Sequence, residues 1–470
     1  MELPVSFADR TRSLLGDEEY NKLIDALNGE QPVSIRLNEA KLPHVSAALL
    51  RSCSERVLWA SAGFYLDRRL TFTFDPLFHA GCYYVQEASS MFVEQALRRY
   101  VGEAPVMMLD LCAAPGGKST HARSILPEGS LLVANEVIRN RSQVLAENLT
   151  KWGNPGVVVT NNDPADFSGL ESFFDLILTD VPCSGEGMFR KDPVARSEWS
   201  LENVEICRQR QRRILTDVWP SLKPGGLLIY STCTYNTEEN EENIRWIRDE
   251  FGAEILPLNV PEEWNIIMGA DFPVYRFLPH RTKGEGFFLS VLRKPETDIP
   301  ETRRRPVSTQ GKKKPAPVVS KEQLAAARGW LLSADDYELS VNGTNISAFP
   351  KESISALSAL QQSLRIIQAG IPLGEIKGKD LIPEHALAMS NALRREAFPH
   401  EDVSYEQAVA YLRKEAIVLA ADSPRGYVLL TYKDVPLGFV KNVGNRANNL
   451  YPQEWRIRSG YLPEEILVVD

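Results

Sequence analysis

Residues 106–120, VMMLDLCAAPGGKST, decide the fold of this 470-residue chain. An apolar run ends at Asp110, and a turn of small residues with Gly116 and Gly117 follows it and opens a segment with helical periodicity. Glycines let a ligand approach the backbone of such a turn, and the start of the helix offers free N–H groups to an anionic group. The stretch therefore predicts a strand, a ligand-binding loop and a helix.

The alternation of strand and helix continues from about residue 105 to 295. Four more short apolar runs end in polar or small residues: SLLVANE (130–136), GVVVTNN (156–162), FDLILTD (174–180) and GGLLIYSTC (225–233). Stretches with apolar residues three and four apart separate them. This pattern predicts an α/β fold with a doubly wound, mostly parallel sheet. A final pair of runs, VYRFLPH (274–280) and GEGFFLSVLRK (284–294), predicts a hairpin at the sheet's edge.

The chain is too long for a single hydrophobic core and should divide into about three or four domains. Residues 296–320 are rich in proline and charge and lack apolar periodicity, which predicts a linker. We predict a small N-terminal domain, a sheet domain, this linker and two C-terminal α+β domains, with the bounds 1–80, 81–295, 296–320, 321–395 and 396–470. The residues after 320 are expected to be separate from the sheet.

Composition predicts a folded cytoplasmic protein. Apolar residues make up 43% and charged residues 24% of the chain, as in average soluble proteins. The N-terminus has no signal-peptide pattern, and no run approaches the roughly eighteen apolar residues of a membrane span. Six cysteines are spread without a C-x-x-C pair or clustered histidines, which predicts reduced thiols, no disulfide framework and no metal site.

The net charge of −9 argues against bulk electrostatic coating of nucleic acid. Local basic patches remain possible on an acidic body. The candidates are Arg208, Arg210, Arg212 and Arg213, then Arg303 to Arg305 with Lys312 to Lys314, and finally the run KNVGNRANNLYPQEWRIRS (441–459). Each patch alone is more often a solvated face.

Three ligand classes compete for the loop after Asp110. A phosphate loop, G-x-x-x-x-G-K-[ST], needs a glycine where this chain has Cys112, so that pattern fails. The dinucleotide pattern G-x-G-x-x-G is absent too. An adenosine cofactor without phosphates is the third class. Its ribose hydroxyls would suit Glu136 at the end of the second strand, and its adenine amino group would suit Asp163 after the third.

Either acid alone is more often a helix cap or a solvated turn residue. Two acids after successive strands, together with the glycine turn, favour a cofactor site. S-adenosylmethionine is therefore the leading cofactor.

Cys183 and Cys233 both follow strand ends, in DVPCSGEG and STCTYN, at the sheet edge where open α/β folds bind ligands. An arbitrary cysteine is usually a small packed hydrophobe. Two thiols at this edge fit cytosine chemistry, because carbon 5 of the ring becomes nucleophilic only after a thiolate adds to carbon 6. One thiol can attack and the other can promote release. Asp180 could hold the ring's polar edge, and Lys118 could neutralise developing negative charge.

These motifs resemble the Nol/Nop/Sun family of RNA cytosine-carbon-5 methyltransferases. The similarity runs from about Arg36 to Leu292 and rests on RLN (36–38), YYVQEASSM (83–91), DLCAAPGGKST (110–120), DVPCSGEGMFRK (180–191), LKPGGLLIYSTCT (222–234) and LPHRTKGEGFFLSVL (278–292). The resemblance implies a Rossmann-like S-adenosylmethionine-dependent methyltransferase core over 81–295 and an RNA-binding N-terminal domain. It makes Cys233 the nucleophile and Cys183 the residue that assists release. The implied cofactor positions are Cys112, Ala113, Ala114, Pro115, Gly116, Gly117, Lys118, Glu136, Asp163 and Asp180.

The C-terminal third resembles the extension of bacterial members that modify small-subunit ribosomal RNA, with a final PUA-like RNA-binding module. The resemblance implies 16S ribosomal RNA, or the small subunit itself, as the partner of a monomeric enzyme. Lys441, Arg446, Arg456 and Arg458 would contact phosphates.

Other functions stay open. A transfer RNA methyltransferase would share the same core. A non-enzymatic ribosome assembly factor would need neither the thiols nor Glu136, and a P-loop nucleoside triphosphatase would need a glycine at position 112.

Overall fold

The computed structural model describes residues 3–42, 53–296 and 319–460, together with residues 466 and 468. Its N-terminal unit contains three helices and a four-stranded antiparallel sheet, in which the second, third, first and fourth strands along the chain lie side by side in that order. The elements are α1 (Val5–Leu15), α2 (Asp17–Asn28), β1 (Val33–Leu37), β2 (Cys53–Arg56), β3 (Gly63–Leu66), α3 (Pro76–His79) and β4 (Tyr83–Val85).

A ten-stranded sheet follows at the centre of the molecule. Its first nine strands are β5 (Met107–Asp110), β6 (Leu131–Asn135), β7 (Val157–Thr160), β8 (Phe174–Asp180), β9 (Leu222–Thr232), β10 (Glu254–Leu256), β11 (Ile267–Met268), β12 (Tyr275–Phe277) and β13 (Phe287–Arg293). The helices of this region are α4 (Val93–Tyr100), α5 (Gly117–Ile125), α6 (Arg139–Trp152), α7 (Pro193–Glu198), α8 (Leu201–Val218) and α9 (Glu241–Phe251).

The central strands β9, β8, β5, β6 and β7 are parallel, which confirms the predicted fold class. The predicted hairpin is confirmed as well: β12 and β13 pair antiparallel, and β13 continues onto β9. Strands β11 and β10 extend this antiparallel side, so the sheet is mixed. Because parallel strands point the same way, their carboxyl ends line up at one edge.

Both faces of the sheet are buried, which explains why its strands are continuous apolar runs. Met108 and Leu132 belong to the core on one face, while their neighbours Leu109 and Leu131 belong to the core on the other. This alternation follows from the two-residue repeat of a strand. Helices on both faces therefore hold the loops at the carboxyl edge in place.

The expectation that the residues after 320 are separate from the sheet is wrong. Strand β16, Ile366–Ala369, pairs antiparallel with β7 and forms the tenth strand of the central sheet. The preceding helix, Ile354–Ser363, contributes Ala356 and Leu360 to the hydrophobic core of one sheet face. The physical reason is that β7 would otherwise be an edge strand with unpaired backbone N–H and C=O groups, and residues 81–295 supply no partner strand on that side.

The other C-terminal elements form two four-stranded sheets with orders β14-β15-β17-β18 and β19-β20-β21-β22. The elements after β13 are α10 (Lys321–Gly329), β14 (Tyr337–Asn342), β15 (Asn345–Pro350), α11 (Ile354–Ser363), β16 (Ile366–Ala369), β17 (Ile371–Lys377), β18 (Asp380–Pro383), α12 (His385–Met389), β19 (His400–Asp402), α13 (Tyr405–Leu412), β20 (Gly426–Tyr432), β21 (Val435–Asn442) and β22 (Ala447–Asn449).

The last sheet packs against the N-terminal unit. Leu66 and Phe74 share one hydrophobic core with Tyr411 and Val428, and the Tyr405 hydroxyl donates to the Phe74 carbonyl at 3.0 Å. The two ends of the chain thus form one packed body. Most of the predicted linker, with both of its basic clusters, lies outside the described residues. Within the described ranges no helix is long and apolar enough to cross a membrane.

Candidate active site

The strand register brings the predicted site residues to one edge of the sheet. Asp110 lies opposite Ala134 of β6 and Leu178 of β8, and Asp180 lies opposite Ser231 of β9. The segments that follow these strands therefore emerge side by side. This edge holds the loop that begins at Leu111 and the two cysteines.

The loop after β5 turns into α5 at Gly116, whose φ of +115° lies in a region that side chains disfavour. The Arg141 guanidinium donates to the Ala114 carbonyl at 2.8 Å, and the Asn148 amide donates to the Pro115 carbonyl at 2.8 Å. A side chain at Gly117 would meet the Tyr84 ring at 3.3 Å. The loop is thus held by α6 and lined closely by the N-terminal unit.

Glu136 lies beside this loop and is buried. Its carboxylate accepts from the Ile138 N–H at 2.9 Å and lies 3.3 Å from the Arg141 guanidinium. Since Arg141 also holds the Ala114 carbonyl, one cation joins the acid to the loop. A carboxylate next to a helix N-terminus is the donor and acceptor set that an adenosine cofactor with an amino-acid tail requires.

Asp110 is buried beneath the same loop. The Ser119 hydroxyl donates to one of its oxygens at 2.6 Å, and the other oxygen has no hydrogen-bond partner among the described residues. Burial raises the pKa of Asp110 to about 7, although the Ser119 bond and nearby Lys118 oppose the shift. Because Ser119 belongs to α5, its hydrogen bond to Asp110 ties the start of α5 to the end of β5.

Asp163 occupies a different kind of position. Its carboxylate caps the short helix at residues 164–169, accepting from the Ala165 N–H at 3.1 Å, and lies 3.6 Å from the Arg213 guanidinium. This is the helix-cap role that the sequence left open for the residue. Its contact with adenine stays a prediction.

The two strand-end cysteines meet. The Sγ atoms of Cys183 and Cys233 lie 3.1 Å apart, and the Cys233 N–H donates to the Cys183 sulfur at 3.4 Å. The hydrogen bond to Cys233, followed by burial, raises the pKa of the Cys183 thiol well above its usual value. The two sulfurs are therefore close enough to share a proton.

Lys118 and Asp180 form an ion pair at the same edge. The ammonium lies 2.8 Å from one carboxylate oxygen, and the Ser231 hydroxyl donates to the other at 2.8 Å. Burial lowers the pKa of Lys118, but the Asp180 carboxylate outweighs that effect and the pKa is raised. Lys118 is therefore a fixed positive charge at the carboxyl edge.

The structure thus joins three pairs of predicted residues: Cys183 with Cys233, Lys118 with Asp180, and Glu136 with the loop through Arg141. Among the contacts described, none joins Asp163 to the others.

Family models match three parts of the chain. A model described as 16S rRNA methyltransferase RsmB/F matches residues 101–293. The N-terminal domain of 16S rRNA methyltransferase RsmF matches 3–88, and the RsmF PUA domain matches 399–457. The ribosomal RNA small subunit methyltransferase F of Serratia proteamaculans is 31% identical over 98% of this chain and 98% of its own length. This chain belongs to the RsmB/F methyltransferase family.

Other relatives agree. The ribosomal RNA small subunit methyltransferase F of Cronobacter sakazakii is 33% identical and covers 98% of this chain and 97% of its own length. A methyltransferase homologue from Pyrococcus horikoshii has a solved structure with 30% identity and a TM-score of 0.52, covering 61% of this chain and 94% of that one. The Nol/Nop/Sun resemblance is therefore confirmed, and the chain is an RNA methyltransferase.

The crystal structure of NSun6 from Pyrococcus horikoshii with SFG has the same fold in its matching part. It has a TM-score of 0.52 at 21% identity and covers 62% of this chain and 98% of that one.

Two buried carboxylates that sequence reasoning missed hold the cysteine loops of this RsmB/F enzyme together. Glu186 accepts from the N–H groups of Tyr235 and Asn236 at 2.8 and 2.9 Å. Glu239 accepts from the Ser184 N–H at 3.0 Å. Each acid of one cysteine loop binds backbone of the other, so the two thiols are fixed relative to each other. The sequence offered one signal for them: both acids lie close to the cysteine motifs, Glu186 in EGMF (186–189) and Glu239 in NTEEN (236–240).

The N-terminal unit also reaches the helix after the β5 loop through a buried cation. The Arg36 guanidinium donates to the Gln86 side chain at 2.8 Å and to the Thr120 hydroxyl of α5 at 2.6 Å, and it stacks 4.3 Å above the Trp152 ring. Burial lowers the pKa of Arg36 to about 9. The RLN and VQEAS motifs of the sequence thus position the helix that carries Lys118.

Proposed function

We propose that this RsmB/F protein transfers a methyl group from S-adenosylmethionine to carbon 5 of a cytosine in 16S ribosomal RNA, through a transient bond between Cys233 and the RNA. The observation that carries the proposal is the pair of thiols, Cys183 and Cys233, 3.1 Å apart at the carboxyl edge and beside the Lys118–Asp180 ion pair. Neither packing nor stability requires two thiols and a half-buried ion pair at a strand end.

The cofactor would lie between the loop and Glu136. The residues that would hold it are Cys112, Ala113, Ala114, Pro115, Gly116, Gly117, Lys118, Glu136, Asp163 and Asp180. The first turn of α5 offers unpaired N–H groups to the amino-acid carboxylate, and Glu136 suits the ribose hydroxyls. When bound, S-adenosylmethionine supplies an electrophilic methyl group.

The chain's own residues then divide the work on the base. The Cys233 sulfur adds to carbon 6, and Lys118 offsets the negative charge that develops on the ring. Asp180 can also accept a hydrogen bond from the amino edge of cytosine, because each carboxylate oxygen keeps a second lone pair beyond the one used by Lys118 or Ser231. Carbon 5 takes up the methyl group and then gives its proton to solvent water. The electrons of that C–H bond re-form the double bond between carbons 5 and 6, and the ring expels Cys233 as a thiolate.

The raised pKa of Cys183 and its contact with Cys233 support its assignment to release. A thiol whose pKa is raised can hydrogen-bond to the departing Cys233 sulfur, 3.1 Å away, and stabilise it as a leaving group. Without that bond the adduct should form but break down slowly.

Ribosomal RNA is proposed as substrate because curated relatives are named ribosomal RNA small subunit methyltransferase F. Residues 399–457 match the PUA model of that family, and this segment would recognise RNA shape and backbone. The residues proposed to contact phosphates are Lys441, Arg446, Arg456 and Arg458. We further propose a monomer that works in the cytoplasm, with the domain bounds given by the sequence except that Ile354–Ser363 and Ile366–Ala369 belong to the central sheet and its core.

Mapping of 5-methylcytosine in 16S ribosomal RNA, in cells with and without the gene, tests this proposal. We expect at least one site to lose its methyl group without the gene and to regain it with the wild-type gene but not with Cys233→Ser. An unchanged 16S map with a lost site in transfer RNA would contradict the proposed substrate.

Cofactor affinity should depend on Glu136 and, less strongly, on Asp163. Glu136→Ala removes a charge-assisted acceptor for the ribose and should weaken S-adenosylmethionine binding about tenfold or more. Asp163→Ala should weaken it about fivefold, consistent with one lost hydrogen bond of about 1 kcal/mol. Calorimetric titration measures both.

Asp166→Ala is the matched control for Asp163. Asp166 accepts from the Asp163 N–H in the same capping box at 3.1 Å, so its loss disturbs the cap alone. Equal weakening by Asp163→Ala and Asp166→Ala would show that Asp163 acts only as a helix cap.

A further inference from the structure

The start of strand β16 is bound to the carboxyl end of β7 by more than the strand ladder. The Arg365 carbonyl accepts from the Asn161 N–H and from the Asn162 side-chain amide, each at 3.1 Å. The Arg365 N–H donates to the Asn162 side-chain oxygen at 2.9 Å. The carboxamide of Asn162 thus binds both backbone groups of one residue from the C-terminal part of the chain.

The backbone of Asn162 hydrogen-bonds in turn to Asn135 at the end of the neighbouring strand, β6. Its N–H donates to the Asn135 side-chain oxygen at 3.0 Å, and its carbonyl accepts from the Asn135 amide at 3.0 Å. Two carboxamides therefore form a continuous path from Arg365 to the end of β6. Both are buried, with 7% exposure for Asn162 and 1% for Asn135.

The path ends at the cofactor loop. The Asn135 amide also donates to the Leu111 carbonyl at 3.1 Å, and the Asn135 carbonyl accepts from the Ala113 N–H at 2.8 Å. Leu111 and Ala113 flank Cys112, where the loop leaves β5. The position of the loop is therefore linked by hydrogen bonds to the position of Arg365.

A second branch reaches the acid proposed to bind ribose. The side-chain amide of Asn161 donates to the carbonyls of Glu136 and Val137, at 2.7 and 2.9 Å. The same loop after β7 thus supports the backbone on both sides of the proposed adenosine pocket. Val137 and Ile138, next to Glu136, leave 54% and 51% of their surface exposed there.

We propose that Asn162 is a positioning residue of the cofactor site, through which the C-terminal segment around Arg365 fixes the loop at Leu111–Ala113. The proposal rests on the proposed function, because it takes that loop as the S-adenosylmethionine site. Buried amide pairs that are fully hydrogen-bonded hold one geometry, and loss of one member leaves the others unsatisfied. Residues far along the chain from the methyltransferase motifs thus become part of the cofactor site.

The test is Asn162→Ala in the full-length chain, titrated calorimetrically with S-adenosylmethionine in the absence of RNA. The loop loses the support of Arg365, so we expect the dissociation constant to rise about tenfold. At saturating cofactor the turnover on ribosomal RNA should stay within about threefold of wild type, because the thiols and the Lys118–Asp180 pair are untouched. If the alanine variant folds poorly, Asn162→Ser replaces it in the test. The serine side chain is too short to bind both the N–H and the carbonyl of Arg365, so the dissociation constant should again rise.

Gln368→Ala is the matched control. Gln368 lies on β16, three residues after Arg365, and its side chain hydrogen-bonds to Thr150 near the C-terminal end of α6 at 2.9 Å. It makes no hydrogen bond to Asn162, to Asn135 or to the loop among the described residues. Its loss should leave the dissociation constant within about twofold of wild type. Equal weakening by Asn162→Ala and Gln368→Ala, or wild-type affinity of both Asn162 variants, would overturn the inference.

Glu136→Ala separates this inference from the proposed function. Weakened binding by Glu136→Ala with unchanged binding by the Asn162 variants would contradict the positioning role alone. Unchanged binding by Glu136→Ala would contradict the cofactor site itself, and the inference with it.

Discussion

Cys233→Ala or Cys233→Ser should abolish methyl transfer and leave no covalent protein–RNA complex. The neighbouring Cys183 is disfavoured as a substitute nucleophile, because the hydrogen bond to Cys233 and burial raise its pKa and so disfavour its thiolate. Loss of a nucleophile of this kind typically lowers turnover by about four orders of magnitude or more. A methyl-transfer assay and a denaturing gel of the enzyme with RNA measure both effects.

Cys183→Ala should also lose turnover, but with the opposite result on the gel. Cys233 can still attack and the ring can still be methylated, so a complex that survives denaturing conditions should accumulate. Adduct trapped only in the Cys233 variant would show that the two roles are exchanged.

Cys207→Ala controls for thiol loss as such. Cys207 is buried on α8 and its thiol hydrogen-bonds weakly to the Asn203 side-chain oxygen at 3.9 Å, with no hydrogen bond to Cys183 or Cys233 among the described residues. We expect a small loss of stability and normal methylation. Similar small losses and no adduct in all three variants would mean that Cys183 and Cys233 are packed hydrophobes.

Asp180→Asn should lower the turnover number by about two to three orders of magnitude, comparable to the loss of one preorganised group that stabilises transition-state charge. The substitution keeps the size of the side chain but removes the partner of Lys118, which is only 16% exposed and would be left with an unpaired charge. It also replaces one of the two acceptor oxygens by an NH2 donor, which weakens recognition of the amino edge of cytosine. Single-turnover kinetics at saturating cofactor measure the effect on chemistry.

Ser231→Ala provides the control for that prediction. The Ser231 hydroxyl donates to Asp180 at 2.8 Å without changing its charge, so its loss should cost about tenfold or less. In a Cys183→Ala background, Asp180→Asn should also slow adduct formation. Equal losses from Ser231→Ala and Asp180→Asn would indicate that orientation of the carboxylate, rather than its charge, is what matters.

The sequence predicted the central sheet because its strands are apolar runs with a marked end at polar residues such as Asp110 and Asp180. It could not predict that β16 joins this sheet. Ile366–Ala369 is only four residues long and partly exposed, and its partner β7 is more than 200 residues away in the chain. Pairing over such a distance leaves no local periodicity, so the C-terminal part was expected to stand apart.

For the site, the sequence pointed to the residues proposed to carry the chemistry but not to those that hold them. Cys183, Cys233 and Glu136 are of reactive or charged types at strand ends, which makes them visible in a pattern. Asn135 and Asn162 are uncharged amides that read as ordinary strand-end polar residues, and only their mutual hydrogen bonds reveal a role. Asp163 was visible in the same way as Glu136, yet its carboxylate caps a helix.

Methylation of ribosomal RNA that carries tritium at carbon 5 of cytosine tests the central claim most directly. Attack by Cys233 at carbon 6, methylation at carbon 5 and loss of the carbon 5 proton predict that one tritium is released to water for each methyl group transferred. Methyl transfer without tritium release would contradict the account, because the methyl group would then be on another atom of the RNA.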